Sequence, residues 1–254
     1  MPRYFITIEY DGGGYVGWQR QNNGPSIQEH LETAASAILG QRQEVLMQGA
    51  GRTDAGVHAT GQVAHCDLPS GFAEAQLPLA LNAHLPSDIR VISARQVPDD
   101  AHARFDAIGR SYRYRIFPRK IASALLAGRV WHFPYPLDIE AMAEAAKRLI
   151  GKHDFTSFRA TGCQANSPVR TLNSLSVIRS DDEIHIRAHA RSFLYHQIRN
   201  FAGSLALVGA GKWQAEDIRI VLEACDRTKA GPTAPPQGLY LTEIEYSPES
   251  LAQK

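Results

Sequence analysis

The residues most able to do chemistry lie close together in GRTDAGVHAT at positions 51–60, where Arg52, Asp54 and His58 sit among glycines. An arginine two residues from an aspartate can hold that carboxylate ionised and oriented. Read structurally, the same stretch is a glycine-rich turn in which Asp54 makes an Asx-type backbone bond. Little else in the chain competes as a reactive centre. Gly49-Ala-Gly51 and the Gly12–Gly14 run lack both the G-x-G-x-x-G spacing of a dinucleotide fold and the Gly-Lys-Ser/Thr of a P-loop. No Cys or His pair has structural-zinc spacing, since His185 and His189 lie four apart on a strand-like segment. There is no G-x-S-x-G elbow, and a glycosidase needs two carboxylates of opposite duty where this loop offers one. A single carboxylate with arginines and aromatics suits a reaction in which the substrate supplies most of the reactivity.

Such a loop has to be carried by regular elements. Tyr4 to Tyr10 is β-rich and ends at Asp11-Gly12-Gly13-Gly14, a strand and a turn. Ser26-Ile-Gln-Glu29 is a capping box, after which Ile27, Leu31, Ala34 and Ile38 keep helical spacing as far as Gly40. Strands near 44–50 and 61–68, a helix near 73–85 containing Pro78 and a strand at 89–97 complete a βαββαβ order. The second half repeats it, with a strand at 109–117, a helix at 139–150 and strands near 172–179 and 183–191. A helix from about 194 carries Leu194, Ile198, Phe201 and Leu205 on one stripe, a short helix follows near 214–224, and Leu239–Tyr246 closes the unit. The expected fold is α+β: two ferredoxin-like units, 1–105 and 106–247, with joined antiparallel sheets, a catalytic cleft between them and a tail at 248–254. The β–β connection of the second half turns in about three residues at Ser180-Asp181-Asp182, while its counterpart holds the Asp54 loop. Loops of about ten residues are long for a hairpin and invite a functional explanation.

The bulk numbers are those of a globular protein, with 254 residues, 44% hydrophobic and 21% charged. Three isolated cysteines, Cys66, Cys163 and Cys225, argue against a disulfide framework, and are expected in the core. MPRYFITIEY does not resemble a signal peptide and no apolar stretch reaches membrane-spanning length, so a cytoplasmic location is expected. A net charge of +1 hides an uneven distribution. Residues 104–120 hold six Arg or Lys against one Asp, leaving 21 positive and 25 negative residues elsewhere. That stripe fits focused phosphate contact, or a solvated charged strand.

Four segments resemble the tRNA pseudouridine synthase A family: YDGGGYVGWQRQ at 10–21, GRTDAGVHA at 51–59, GRSYRYRI at 109–116, and RSFLYHQIRNFAG at 191–203 with GLYL at 238–241. The second is the most specific, and the match runs from residue 3 to about 247. The resemblance implies a homodimer that isomerises uridine to pseudouridine in the tRNA anticodon stem-loop, at the positions conventionally numbered 38 to 40. It also implies a catalytic Asp54, a Tyr112 that stacks on the target base, an Arg199 that pairs with the catalytic carboxylate, and an Arg52 that helps expel the base and hold the RNA. Moving a base from N1 to C5 transfers no electrons and loses no group, so no metal or organic cofactor is expected, and neither membrane nor DNA is an expected partner. A target inside a stacked stem has to be flipped out, costing a few kcal/mol. Stacking on an aromatic returns roughly 1–3 kcal/mol.

The main rival is a non-catalytic RNA-binding module, because βαββαβ is also the topology of RNA-recognition motifs. The third strands, GQVAHCDL and EIHIRAHA, lack the aromatic pair such a module presents. A duplicated ferredoxin-like metabolic enzyme, with Asp54 binding a small molecule, is a second rival. His58 is expected to fix its loop. Trp18, and the strand face of Glu183, His185, Arg187, His189 and Arg191, admit either an RNA-facing or a structural role.

Overall fold

Alternation in the first strand decides the first layer. In a computed structural model describing residues 1–40, 43–69 and 71–252, Tyr4, Ile6, Ile8 and Tyr10 of β1 (Arg3–Tyr10) are at most 2% exposed. α1 (Ile27–Ile38) starts where the capping pattern puts it, with the Ser26 hydroxyl accepting from Glu29 N at 3.3 Å. Ile27, Leu31, Ala34 and Ala35 form its buried stripe. β2 (Gln48–Gly49) is shorter than the expected 44–50 strand, and β3 (His58–Asp67) begins earlier than expected. α2 (Leu77–Asn82) carries Pro78 in its first turn, and β4 (Ile89–Val97) matches its expected span. β1 lies between β3 and β4 in antiparallel ladders, for example Ile6↔Ala64 and Ile6↔Ala94.

The second compact unit, Arg110–Leu239, takes up β5 (Ala107–Pro118) from Arg110 onward. It continues with β6 (Trp131–Phe133), α3 (Ile139–Lys147), β7 (Gly151–Asp154), β8 (Val169–Ser180), β9 (Glu183–Ala190), α4 (Gln197–Gly209) and α5 (Ala215–Ala224). β5, β9, β8 and β7 form consecutive antiparallel ladders, and β6 runs parallel to β5. α3 packs on β8, α4 and α5, and Phe155, Phe158 and Phe201 cluster edge-to-face beneath them. The last strand, β10 (Leu239–Tyr246), returns from Tyr240 to the first unit, which comprises Met1–Gly109 and Tyr240–Lys254. There it pairs in parallel with β3 through Tyr240↔His58 and Leu241↔Ala59, a placement that the order of elements along the chain does not reveal. Of the expected tail, residues 248–252 are described, with a 3-10 turn at Glu249–Leu251; 253 and 254 lie outside the described residues.

Two further local expectations change. α4 begins at Gln197 rather than near 194, because His196 adopts a left-handed conformation (φ 60°) that ends the preceding chain before the helix starts. Leu194 still joins the buried stripe from outside the helix, and its N–H donates to Gln197 Oε1 at 2.8 Å. Of the cysteines only Cys66 is core; Cys163 is half-buried, and Cys225 is exposed where it ends α5 with φ 47°. Among the described residues no helix is long and apolar enough to cross a membrane.

Candidate active site

Residues 50–57 connect β2 to β3, and nearly every contact that shapes this connection comes from the first unit's glycine-rich segment or from buried polar side chains. Thr53 is 7% exposed; its hydroxyl shares a 2.8 Å hydrogen bond with Tyr10, and its carbonyl accepts from Trp18 N at 3.0 Å. Asp54 forms an isolated bridge to Gly17 and closes a turn by accepting from Val57 N at 3.1 Å, with Gly56 at φ 75°. Gln62, fully buried, donates to Gly51 O at 2.7 Å. The loop and residues 11–18 approach so closely that side chains are excluded. A Cβ on Gly12 would lie 2.0 Å from Val57 O, and one on Gly17 (φ 111°) would lie 2.5 Å from Thr53 O. Asp54 is therefore carried half-buried on a backbone fixed on both sides, while Arg52 in the same loop is exposed.

His58 is buried beneath this loop, its ring stacked on Tyr240 at 4.7 Å. Nδ1 accepts from Gly12 N at 3.0 Å and also lies 3.1 Å from Asp11 Oδ1. Those contacts use the nitrogen oppositely, as acceptor and as donor. The backbone fixes the hydrogen of Gly12, so toward Gly12 the ring nitrogen Nδ1 is an acceptor. His58 thus fixes the loop. Trp18 is also an anchor rather than an RNA platform, being 3% exposed and packed on Gly49, where a Cβ would lie 2.5 Å from its ring.

In the second unit Tyr112 is half-buried on β5, opposite Ala188, and meets Phe193 edge-on at 5.3 Å. Tyr114, two residues on, is fully buried and donates to Pro235 O at 2.7 Å, and a Cβ on Gly238 would lie 2.7 Å from its ring. Arg199 stands in the first turn of α4, half-buried, with Nε donating to Ala234 O at 2.8 Å while Ala234 N donates back to Arg199 O at 3.1 Å. The 231–234 segment is held to α4 by further contacts. Thr233 donates to Asn200 Oδ1 at 2.7 Å, Gly231 N donates to Ser204 Oγ at 3.0 Å, and a Cβ on Gly203 would clash with Pro232 O. The guanidinium of Arg199 is consequently a positioned group, not a mobile surface cation.

The basic stripe is partly consumed by its own unit. Arg115 grips Glu183 with two hydrogen bonds, one of them 2.7 Å, and His185 Nε2 lies 2.9 Å from the same carboxylate. Burial opposes the charge on Glu183, but Arg115 and His185 outweigh it and hold its carboxyl below the ordinary range. Burial, with the nearby charges of Arg113 and Arg115, pushes His185 down more than Glu183 raises it, so the imidazole is neutral at neutral pH. This end of the strand face is structural. Sequence reasoning missed Phe193, Gln62 and the glycine contacts. The nearest signal was their position inside or beside the segments already singled out.

The sequence of each unit finds its counterpart among known proteins. A family model described as tRNA pseudouridine synthase matches residues 6–106 and 145–247. The chain is 56% identical over 253 residues to tRNA pseudouridine synthase A of Rhodospirillum rubrum, covering 99% of this chain and 90% of that protein. It is 57% identical over 247 residues to the protein of that name from Rhodopseudomonas palustris, covering 97% and 100%. To the one from Rhizobium meliloti it is 53% identical over 249 residues, again covering 97% and 100%. A match of this extent, through the loop that carries Asp54 and through α4, places the chain in the tRNA pseudouridine synthase family.

Proposed function

We propose that this protein converts uridine to pseudouridine in tRNA, in the anticodon stem-loop at positions 38, 39 and 40, with Asp54 as the indispensable carboxylate. The observation that carries the reading is the fixed half-buried placement of Asp54 on a loop pinned by Thr53, Gln62 and His58, inside the segment matched by the family model. The reaction breaks the N1–C1′ bond of the nucleotide, turns the base, and forms a C5–C1′ bond. The C5 proton is lost and N1 gains one, so atoms and electrons balance without an oxidant or reductant. Tyr112 is the stacking platform for the extruded base, and its edge-on contact with Phe193 holds the ring upright. Arg199 pairs with the catalytic carboxylate. The Nε bond to Ala234 O holds this side chain in place, and a guanidinium beside a carboxylate favours the ionised acid. Arg52, exposed on the loop, contacts the RNA and helps expel the base.

The same reading makes the enzyme a cytoplasmic homodimer of two repeats, 1–105 and 106–247, followed by a tail. Family membership supports the dimer, and so does the exposure of Ile121 (74%) and Leu125 (86%) in the segment after β5. The test is incubation of the purified protein with tRNA transcribed with labelled uridine, followed by digestion and mass spectrometry. Pseudouridine confined to the anticodon stem-loop is the expected product. Unmodified tRNA that nevertheless binds tightly would favour the non-catalytic RNA-binding alternative.

A further inference from the structure

Several cations of the second unit are paired with a carboxylate. Arg115 is held by Glu183, Arg219 by Glu216 and Glu223, and Arg148 lies near Glu144 and Glu216. One group differs. Where β7, β8 and the end of β9 meet, an open groove of about 520 Å³ is lined by Lys152, Arg170, Thr171, Asn173, Arg191 and Ser192, along with Val169. Three of these are cations and none is an acid. Among the described residues none of the three is within ion-pair distance of a carboxylate. The nearest acid along the ladder, Asp154 opposite Val169, directs its carboxylate to Thr156 N at 2.8 Å.

The ladder explains why these residues converge. Lys152 is directly opposite Thr171, and Leu172 is opposite Ala190, the residue before Arg191. The register slips between Leu172 and Ser174, so Asn173 is an extra residue that bends β8 at the groove. Arg170 Nη1 is fixed by Ser167 O at 2.9 Å and Val169 O at 2.7 Å, and its buried Nε has no hydrogen-bond partner. The groove continues the basic strand, since Arg110 Nη1 donates to Arg191 O at 2.7 Å. Adjacent strands are about 4.8 Å apart, so β8 lies on the order of 10 Å from β5, the strand of Tyr112. Side-chain hydroxyls and an amide among cations, Arg170 held in place, match phosphate oxygens, which accept but do not donate.

We propose that this groove is a phosphate-binding site for the backbone of the tRNA substrate, occupied while the target nucleotide is held elsewhere on the protein. The inference rests on the tRNA reading above. A site of this kind contributes affinity and register rather than chemistry.

The test compares wild type with Lys152→Gln/Arg191→Gln and with the charge-keeping Lys152→Arg/Arg191→Lys. Both positions are exposed, so neither pair of substitutions disturbs the core. Arg170→Gln is kept as a separate variant because Arg170 also braces 167–169. Steady-state pseudouridine formation on intact tRNA and tRNA affinity across a salt series are both measured. The neutral double variant is expected to raise KM about tenfold with little change in kcat. Its slope of log affinity against log salt is expected to flatten by about 0.7–0.9 for each phosphate that the protein no longer neutralises. The charge-keeping variant stays near wild type. An unchanged KM and salt slope in the neutral double variant overturns the proposal, as does a fall in kcat with the slope intact. If wild type makes no pseudouridine but binds tRNA through Lys152 and Arg191, the groove stands and the catalytic reading falls.

Discussion

Two hairpin connections, β8 to β9 and β2 to β3, solve the same geometric problem in opposite ways. Between β8 and β9 the chain reverses at Asp181 and Asp182, both exposed, with Asp181 at φ 52°. Between β2 and β3 the reversal takes residues 50–57, and Thr53 and Val57 are buried in it while His58 is buried just beyond. A connection needs no such length merely to turn, as the first hairpin demonstrates. The extra residues of the second are held by Tyr10, Trp18 and Gln62, and by backbone approaches that only glycine permits. A minimal turn positions its strands; an expanded and pinned one positions a side chain, here Asp54. Both hairpins carry aspartates, so residue type alone does not separate them. What separates them is the surrounding structure that fixes the backbone of one.

The comparison is broken most severely at the glycine contacts. Gly12→Ala drives a methyl into Val57 O and is expected to cost about 1–3 kcal/mol of stability. Displacing the loop by an ångström is also expected to lower turnover on the order of 100-fold. Gly14→Ala, whose Cβ meets nothing within 4 Å, is the control and should leave both properties near wild type. Thermal melts and kcat on tRNA check the pair; equal effects at Gly12 and Gly14 would remove the case for a pinned loop.

At the second unit's anchor the expected effect falls on stability alone, without the loss of turnover. Glu183→Gln leaves Arg115 without its carboxylate and is expected to cost about 1–3 kcal/mol. Because the folded state depresses the carboxyl of Glu183, its contribution is present above the unfolded value of about 4.3 and is lost as pH falls through the lower folded value. The gap between wild type and variant in denaturant titrations should therefore be widest near neutrality and close below about pH 4. A gap independent of pH would assign the cost to packing. The smallest effect is expected at the short turn. Asp181→Asn and Asp182→Asn should shift stability by no more than about 0.5 kcal/mol and leave turnover intact.

Much of the fold was legible because periodicity and caps agreed. The first strand, α1 with its Ser26 cap, β4 and β10 lie where their patterns put them. β6 and β7 escaped notice because three- or four-residue strands such as Trp131–Phe133 carry too few alternations to read. The early start of β3 was hidden for another reason. His58 and Ala59 are drawn into the sheet by β10, nearly two hundred residues away in sequence, and no local pattern encodes that pairing. At the candidate site, residue types and spacing pointed to Arg52 and Asp54, while Tyr112 and Arg199 were implied by the resemblance of their segments to the tRNA pseudouridine synthase A family. What they concealed was support: that Trp18 packs on Gly49, that His58 bonds Gly12, and that Arg115 is spent on Glu183. Each of these depends on which strands become neighbours.

The most direct test of the central claim is Asp54→Asn, assayed for pseudouridine on tRNA alongside its melting temperature and tRNA affinity. The side chains are nearly isosteric, and Thr53, Gln62 and His58 hold the loop. Turnover should vanish while folding and tRNA binding persist, because only the carboxylate is removed. Pseudouridine formed by Asp54→Asn at the wild-type rate would contradict the account.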